Sequence, residues 1–241
     1  MKNSLTSDLP IGVFDSGVGG LTVLQALRAA LPGEDLIYLG DTARLPYGTK
    51  SPGSIARYAG QATLHLQQQG IKLLVVACNT ASAVALEALR EQMAPLPVIG
   101  VVEPGASAAV ATGIGAEHLV LATEATVRLG AYRKAIAALD ETANVRELAC
   151  ELLVSLAEEG WTEGSIAIDI VSRYFEQLEA AARTPDCVIL GCTHFPLLRN
   201  TIAKVVEPGT RIVDSASTTA QAALAMLDSL HLRSTRGTTG S

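Results

Sequence analysis

The hydrophobic positions of the chain form short continuous runs that alternate with longer stretches of helical periodicity. Unbroken aliphatic runs are typical of strands buried on both faces, and they occur at 11–14, 36–39, 72–77, 98–102, 118–122, 145–149, 188–190 and 211–213. Helices are predicted at 21–31, 54–69, 82–93, 127–139, 163–182, 196–205 and 215–229, with Ser54 expected to cap the second. Strands that alternate with helices in this way predict an α/β protein with mostly parallel sheets flanked by helices.

A weak internal repeat indicates two related lobes. Residues 72–80 read Lys-Leu-Leu-Val-Val-Ala-Cys-Asn-Thr, and residues 186–194 read Asp-Cys-Val-Ile-Leu-Gly-Cys-Thr-His. Both are an apolar strand followed by a small residue, a cysteine and hydrogen-bonding residues. We expect two pseudo-symmetric lobes with the active site in the cleft between them: 1–100 plus 209–231 as the first, 101–208 as the second, and 232–241 as a disordered tail. Chance similarity of short apolar strands is the alternative.

Composition and charge narrow the class of protein. Apolar residues make up 49% of the chain and charged residues 17%, with a mean hydropathy of +0.32, which excludes an intrinsically disordered chain. The net charge of −6 argues against a nucleic-acid or anionic-membrane binder. Neither an apolar signal segment nor a membrane span is predicted. Four cysteines in 241 residues do not form a disulfide framework, so we expect a cytoplasmic protein.

Four polar clusters stand at the ends of predicted strands. They are Asp15-Ser16, the segment 41–48, Cys78-Asn79-Thr80 and Cys192-Thr193-His194. In parallel α/β sheets, ligands bind beyond the carboxyl ends of the strands, where the loops enter the helices. The clusters are therefore predicted to converge on one site.

Two of the four cysteines have the setting of reactive thiols. Cys78 and Cys192 each follow a strand and precede a predicted helix, whose N-terminus favours the thiolate and lowers the thiol pKa from about 8.5. Inert burial is the alternative, and it suits Cys187, which lies in the strand next to 188–190, and Cys150, which stands at the end of the strand 145–149. The residues after Cys78 and Cys192 favour a chemical role for both.

Other interpretations of these clusters are weaker. Two cysteines, His194 and nearby carboxylates could bind a metal, but no Cys-x-x-Cys or comparable histidine spacing supports this, and we expect no metal. The glycines of 17–20 lack the pattern of a nucleotide loop and predict a turn whose N–H groups approach a carboxylate. For Asp15 the alternative is a helix N-cap, and the segment 46–48 taken alone predicts a surface turn.

Two thiols on opposite sides of a small ligand suit proton transfer at a stereocentre. One thiolate removes a proton, and the opposite thiol donates a proton to the other face. The carbanion needs electrostatic stabilisation and desolvation, for which Asn79, Thr80, Thr193 and Ser16 are suitable donors. No lysine has the setting of a pyridoxal-binding residue, so we expect no cofactor.

Four motifs resemble those of the aspartate/glutamate racemase family, and of its glutamate racemases in particular. They are residues 11–21, 41–48, 76–81 and 190–198, within a resemblance that runs from about residue 11 to residue 229. The resemblance implies a cofactor-independent isomerase of two lobes that interconverts L- and D-glutamate and supplies D-glutamate for peptidoglycan. We also expect a homodimer.

The resemblance also implies roles for individual residues. Cys78 would deprotonate D-glutamate with help from Asp15, and Cys192 would deprotonate L-glutamate with help from His194. Glu158 is chosen to orient His194, with Glu159 as the fallback, because residues 151, 153 and 155 depart from the family's Pro, Phe and Pro. A solvated helix end is the alternative for both glutamates. The implied substrate contacts are Asp15, Ser16, Pro46, Tyr47, Gly48, Asn79, Thr80, Thr126, Thr193 and His194.

Two other functions stay open. Aspartate racemases share the fold and both cysteines, but their second Cys-Thr is typically followed by glutamate, so His194 favours glutamate as the substrate. A non-catalytic role is the second alternative, because some family members are reported to bind DNA gyrase. The presence of both thiols, Asp15 and His194 argues against a loss of activity.

Overall fold

Two parallel four-stranded sheets, each flanked by helices, form the protein. The computed structural model describes residues 6–178, 184–235 and 239–241. The first sheet has the order β2-β1-β3-β4, with β1 Ile11–Asp15, β2 Leu36–Gly40, β3 Leu73–Val76 and β4 Val98–Gly100. The second has the order β6-β5-β7-β8, with β5 Glu117–Ala122, β6 Asn144–Ala149, β7 Cys187–Gly191 and β8 Arg211–Asp214. The predicted α/β class with mostly parallel sheets is confirmed.

The helices cover both faces of the sheets. They are α1 Leu21–Ala30, α2 Pro52–Gln68, α3 Asn79–Met93, α4 Val102–Val110, α5 Glu124–Leu129, α6 Ala131–Ala137, α7 Glu151–Glu158, α8 Ser165–Glu176, α9 Arg199–Val205 and α10 Ser215–Ser229. In the described part of the chain, none of them has the length and apolar composition that a bilayer span requires.

Several predicted helix bounds differ from the structure. Neither α4 nor α7 was predicted, and the helix predicted at 127–139 is divided by Gly130, whose left-handed φ of 59° ends α5. Ser51, not Ser54, caps α2, because its hydroxyl accepts the N–H of Ser54. The helix predicted at 163–182 ends at Glu176, and residues 179–182 lie outside the described residues.

The two sheets have matching strand orders, which gives the lobes their pseudo-symmetry. β1 lies between β2 and β3, and β5 lies between β6 and β7, all in parallel register. The central strands β1, β3, β5 and β7 are buried along their whole length between the helical layers. Cys78 follows β3, and Cys192 follows the equivalent strand β7. The cysteines therefore occupy matching positions in the two lobes.

The C-terminal segment does not lie where the sequence predicted. β8, expected in the first lobe, pairs with β7 and extends the second sheet, with Val188 opposite Ile212. The following helix α10 packs against α1 in the first lobe, as expected, through Ala220 and Leu227. The chain thus passes from one lobe to the other at Asp214. The lobe boundary at 100/101 stays a prediction.

The tail beyond α10 was expected to be disordered, and its described residues are held on the first lobe. Ser241 donates its N–H to Asp35 Oδ1 at 2.7 Å and accepts the N–H of Leu36 at 2.9 Å. Ser234 donates its N–H to Glu34 at 2.7 Å. These contacts contradict a free tail at 232–235 and 239–241, while 236–238 lies outside the described residues.

Candidate active site

The carboxyl ends of the strands face a cavity of about 380 Å³ between the two lobes. The loops after β1, β3, β5 and β7 contribute to its walls, together with α7 and the segment 45–49. The lining residues are Ser16, Leu45, Pro46, Tyr47, Gly48, Thr49, Cys78, Asn79, Thr80, Thr123, Glu151, Val154, Ser155, Glu158, Cys192, Thr193 and His194. All four polar clusters found in the sequence thus reach one cavity.

Cys78 stands at the N-terminus of a long helix. It is the N-cap of α3, and its Sγ accepts the N–H of Ala81 at 3.3 Å. The thiol donates to the hydroxyl of Ser16 at 3.2 Å. Two polar contacts therefore orient this sulfur, and one of them comes from the loop after the neighbouring strand.

Asp15 lies behind Ser16, fully buried at the end of β1. Its Oδ2 accepts the N–H groups of Gly17 and Gly20 at 3.0 and 3.1 Å, whereas Oδ1 has no hydrogen-bond partner among the described residues. A Cβ at Gly20 would lie 2.4 Å from the Cβ of Asp15, so this position requires glycine. The glycine turn therefore encloses a carboxylate, as predicted, and Asp15 is not the N-cap of α1.

Cys192, unlike Cys78, does not stand at the N-terminus of an α-helix. Residues 195–198 after it form a 3₁₀ turn, not an α-helix, and α9 begins only at Arg199. Its Sγ lies 3.7 Å from His194 Nδ1, and His194 Nε2 lies 3.1 Å from Glu158 Oε1. With the proton on Nε2 donated to Glu158, Nδ1 is free to accept the thiol proton. Glu158, not Glu159, makes this contact.

Burial controls the protonation of both thiols, and the predicted lowering of their pKa values is wrong. Burial, reinforced by the charge of Asp15, raises the pKa of Cys78 to about 11, although its hydrogen bonds act in the opposite direction. Burial also raises the pKa of Cys192 far above its ordinary value. A helix N-terminus therefore does not offset desolvation here. Each thiol needs a neighbouring acceptor before it can act as a base.

The basic groups near the two thiols are Asp15, whose charge acts on Cys78, and His194, which lies beside Cys192. Burial raises the pKa of Asp15, while the N–H groups of Gly20 and Gly17 and the charge of His194 lower it. A carboxylate with a raised pKa is a better proton acceptor than an exposed aspartate. Each cysteine thus has a basic group in its own lobe, Asp15 for Cys78 and His194 for Cys192.

The segment 46–48 covers the cavity and is not a surface turn. Tyr47 is 1% exposed, and its hydroxyl donates to Asp41 Oδ2 at 2.7 Å. A Cβ at Gly48 would lie 3.0 Å from Cβ of Thr123, so the backbone passes close to the opposite lobe. The expectation drawn from these three residues alone is therefore wrong.

Thr126 lies behind the cavity wall. It is fully buried and its hydroxyl lies 3.2 Å from that of Thr123, which lines the cavity and lies 2.9 Å from the hydroxyl of Thr80. The predicted residues Ser16, Pro46, Tyr47, Gly48, Asn79, Thr80, Thr193 and His194 all line the cavity, and Asp15 lies behind it.

Several residues that line the cavity were not predicted as substrate contacts. Thr123 directly follows β5, so the strand-end rule that selected the other clusters applies to it as well. Glu151, Val154 and Ser155 belong to α7, which was not predicted. In the ranges that the structure describes, no group of three or more histidine, cysteine or carboxylate side chains is arranged to hold a metal ion.

Comparison with known proteins adds to this geometry. The family model for Asp/Glu/Hydantoin racemase matches residues 11–223. The glutamate racemase of Geobacter metallireducens is 50% identical over 211 residues, covering 88% of this chain and 77% of that protein. The structure of Thermus thermophilus glutamate racemase in complex with β-chloro-D-alanine is 42% identical, with a TM-score of 0.87 over 98% of this chain and 86% of that chain. The structure of Francisella tularensis glutamate racemase in complex with D-glutamate is 35% identical, with a TM-score of 0.89 over 97% of this chain and 87% of that one.

Proposed function

Because the chain belongs to the Asp/Glu/hydantoin racemase family, we propose that it interconverts L- and D-glutamate by moving a proton at Cα. One observation carries the proposal: Cys78 and Cys192 border the same cavity, and each has a separate proton acceptor. The similar Francisella tularensis racemase binds D-glutamate, which supports glutamate as the substrate.

The reaction begins with activation of one thiol. To deprotonate D-glutamate, Cys78 must be a thiolate, and its proton passes to the carboxylate of Asp15. To deprotonate L-glutamate, Cys192 must be the thiolate, and its proton passes to Nδ1 of His194 while Nε2–H donates to Glu158. In either direction the opposite cysteine stays protonated, as its raised pKa favours.

The proton transfer then proceeds across the cavity. In the D-to-L direction, the Cα–H bond breaks, an S–H bond forms on Cys78, and the electron pair moves into the α-carboxylate. The S–H bond of Cys192 breaks as a new Cα–H bond forms on the opposite face. Cys192 is left as the thiolate and Asp15 as the carboxylic acid. Loss of the proton from Asp15 to solvent and uptake of a proton by Cys192 through His194 reset the site.

Stabilisation of the carbanion is the largest demand on the protein. We assign this role to polar residues close to the two cysteines in the chain, chiefly Asn79, Thr80 and Thr193, because they are buried and line the same cavity. Donors held in a desolvated cavity stabilise developing charge more strongly than water does. Ser16, Tyr47 and Gly48 are proposed to contact the rest of the substrate.

The proposed reaction also suggests how its product is used and where the enzyme acts. We propose that the product D-glutamate is used in peptidoglycan synthesis and that the enzyme acts in the cytoplasm without a cofactor. A homodimer and binding to gyrase stay predictions. Inhibition of gyrase by a Cys78→Ala/Cys192→Ala double variant would separate a binding role from racemisation.

The test is an isotope and optical assay on purified, reduced protein. L- or D-glutamate in D₂O is followed by circular dichroism and by deuterium incorporation at Cα, with L-aspartate run in parallel. The Cys78→Ala/Cys192→Ala double variant, purified identically, controls for a contaminating racemase. We expect loss of ellipticity and deuterium uptake with glutamate only.

Three results would contradict the proposal. Racemisation of aspartate in place of glutamate would overturn the substrate and leave the two-thiol reaction. An absence of exchange from both amino acids, or activity that persists in the double variant, would overturn the reaction itself.

A further inference from the structure

Tyr132 connects the two half-sites, the Cys78 side and the Cys192 side of the cavity, although no pattern in the sequence selects it. It is the second residue of α6 in the second lobe, and its side chain is fully buried. Its hydroxyl donates to Asn79 Oδ1 at 2.7 Å. Asn79 belongs to the first lobe and directly follows Cys78, so this hydrogen bond crosses from one lobe to the other.

The ring of Tyr132 is held between two glycines. A Cβ at Gly105 would lie 3.0 Å from Cε1 of the tyrosine, and a Cβ at Gly191 would lie 3.0 Å from Cε2. Both positions would be tighter than most real contacts, so the two glycines leave the space that the ring fills. Gly191 directly precedes Cys192. The ring therefore packs against the strand end that carries the second thiol.

The hydrogen bonds of Asn79 have a defined direction. Its Oδ1 accepts from Tyr132, and its Nδ2 donates to Ser215 Oγ at 3.4 Å. A serine hydroxyl can donate as well as accept, so Ser215 alone would permit either orientation of the amide. A phenol oxygen can also accept, but in the described part of the chain the buried hydroxyl of Tyr132 has no hydrogen-bond acceptor other than Asn79 Oδ1, so a turned amide would leave the phenol proton without a partner. Burial raises the pKa of Tyr132, which keeps that proton in place.

We propose that Tyr132 is a positioning residue that selects the amide orientation of Asn79 and so prepares the site for the substrate carboxylate. This inference rests on the proposed function. With the orientation selected, the second N–H of Nδ2 stays available on the cavity side, where Asn79 lines the wall. Without the phenol hydroxyl, Oδ1 would be buried without a donor and the amide could turn over.

The test is Tyr132→Phe, which removes the hydroxyl and keeps the ring between the glycines. We expect the KM for glutamate to rise about tenfold, since a lost donor to a buried acceptor has an effect of that size. We expect kcat to fall as well, by about threefold to tenfold, because Asn79 is also assigned to stabilise the carbanion. A general loss of folded enzyme would lower kcat and leave KM unchanged. Tyr58→Phe, which removes a hydroxyl whose hydrogen-bond partner is the exposed side chain of Arg57, is the matched control and should leave both constants unchanged.

A double-mutant cycle tests whether the effect passes through Asn79. In an Asn79→Ala background, Tyr132→Phe should change KM less than about twofold, because the amide it orients is gone. If the two KM increases multiply, or if Tyr132→Phe alone matches the wild type, the inference is overturned.

A second variant covers the case in which Tyr132→Phe does not fold. Gly105→Ala keeps the hydroxyl and displaces the ring, so it should raise KM in the wild-type background and not in Asn79→Ala. Wild-type racemisation, measured in the same assay, separates the two proposals. An inactive wild type would overturn the proposed function, whereas an active wild type with an unaffected Tyr132→Phe overturns only this inference.

Discussion

The two half-sites hold their cysteines in different ways, although each cysteine follows the equivalent strand of a matching sheet. Cys78 caps the 15-residue helix α3 and is backed by the fully buried Asp15. Cys192 enters a short 3₁₀ turn beside His194, whose partner Glu158 is 37% exposed. One half therefore holds a desolvated carboxylate, and the other holds an imidazole hydrogen-bonded to a carboxylate that reaches solvent.

This difference shows that similar backbones can supply the same proton transfer with unlike groups. Both thiols have raised pKa values because both are buried. What differs is the acceptor that compensates for burial: a carboxylate with a raised pKa in one lobe and a histidine in the other. The comparison predicts that a substitution in one half-site will slow proton exchange from one enantiomer of glutamate more than from the other.

Replacement of either cysteine should have the largest effect. Cys78→Ser should reduce proton exchange from D-glutamate by about 10³-fold, and Cys192→Ser should do the same for L-glutamate, because a serine hydroxyl is a far weaker base. Deuterium incorporation at Cα is measured separately for each enantiomer, so that each measurement reports on one cysteine. Racemisation rates cannot separate the roles of the two cysteines. The enantiomers have equal free energy, so kcat/KM must be equal in both directions.

Equal loss of exchange from both enantiomers in both cysteine variants would remove the assignment of one thiol to each face. It would not by itself contradict the racemase activity.

Replacement of the acceptors should have the next largest effect. Asp15→Asn should slow exchange from D-glutamate about 10²-fold, and His194→Asn should slow exchange from L-glutamate by a similar factor. Each variant keeps its cysteine and removes only the group that takes the thiol proton. If either variant slows both exchanges equally, its acceptor serves the whole site and not one half.

Stability provides a separate readout for Asp15. Its folded pKa is raised above the unfolded value, so its burial destabilises the protein above the unfolded pKa of about 3.9, and this cost disappears as the pH falls. Asp15→Asn should therefore be more stable than the wild type at pH 7 and lose this advantage near pH 4. Urea unfolding at the two pH values measures it, and a less stable variant at pH 7 would contradict the expectation.

Gly19→Ala should disturb the Cys192 half from the opposite lobe. A Cβ at Gly19 would lie 2.5 Å from Thr193 Oγ1 and 2.6 Å from His194 Cε1, so these side chains would have to move. We expect kcat/KM to fall about 10- to 100-fold, as for other small misplacements of reacting groups. Gly53→Ala is the matched control, because no atom lies within 4 Å of a Cβ there. Unchanged kcat/KM in Gly19→Ala would mean that the lobes separate freely at this contact.

Glu158→Gln should have the smallest effect. The glutamine can still accept from His194 Nε2, but it no longer stabilises the charged imidazolium, and a pair this exposed contributes little. We expect exchange from L-glutamate to fall about threefold to tenfold, with exchange from D-glutamate less affected. Glu159→Gln, one residue further at the end of α7, should match the wild type. Equal effects of the two substitutions would contradict the role assigned to Glu158.

Much of the fold and the main members of the site were predictable from local patterns. The buried strands are continuous apolar runs, and polar residues such as Asp15 and Cys78 directly follow them, so their positions depend on chain neighbours alone. The helices α4 and α7 were missed because neither begins at a residue whose side chain caps it: α4 begins two residues after Gly100, directly after Val101, and α7 begins directly after Cys150. The end of α7 does have a standard signal, Gly160 with a left-handed φ of 73°. Without α7, the contributions of Glu151 and Val154 to the cavity could not be foreseen.

The sequence by itself determined the α/β class, the alternation of strands and helices, the four polar clusters and the choice of Cys78 and Cys192. Only the tertiary structure decided that β8 joins the second sheet, that Tyr132 reaches Asn79, and that both thiols have raised pKa values. The physical reason is the range of the interactions. Strand propensity and helix capping act between neighbours in the chain, whereas strand pairing, contacts between lobes and desolvation depend on residues far apart in sequence.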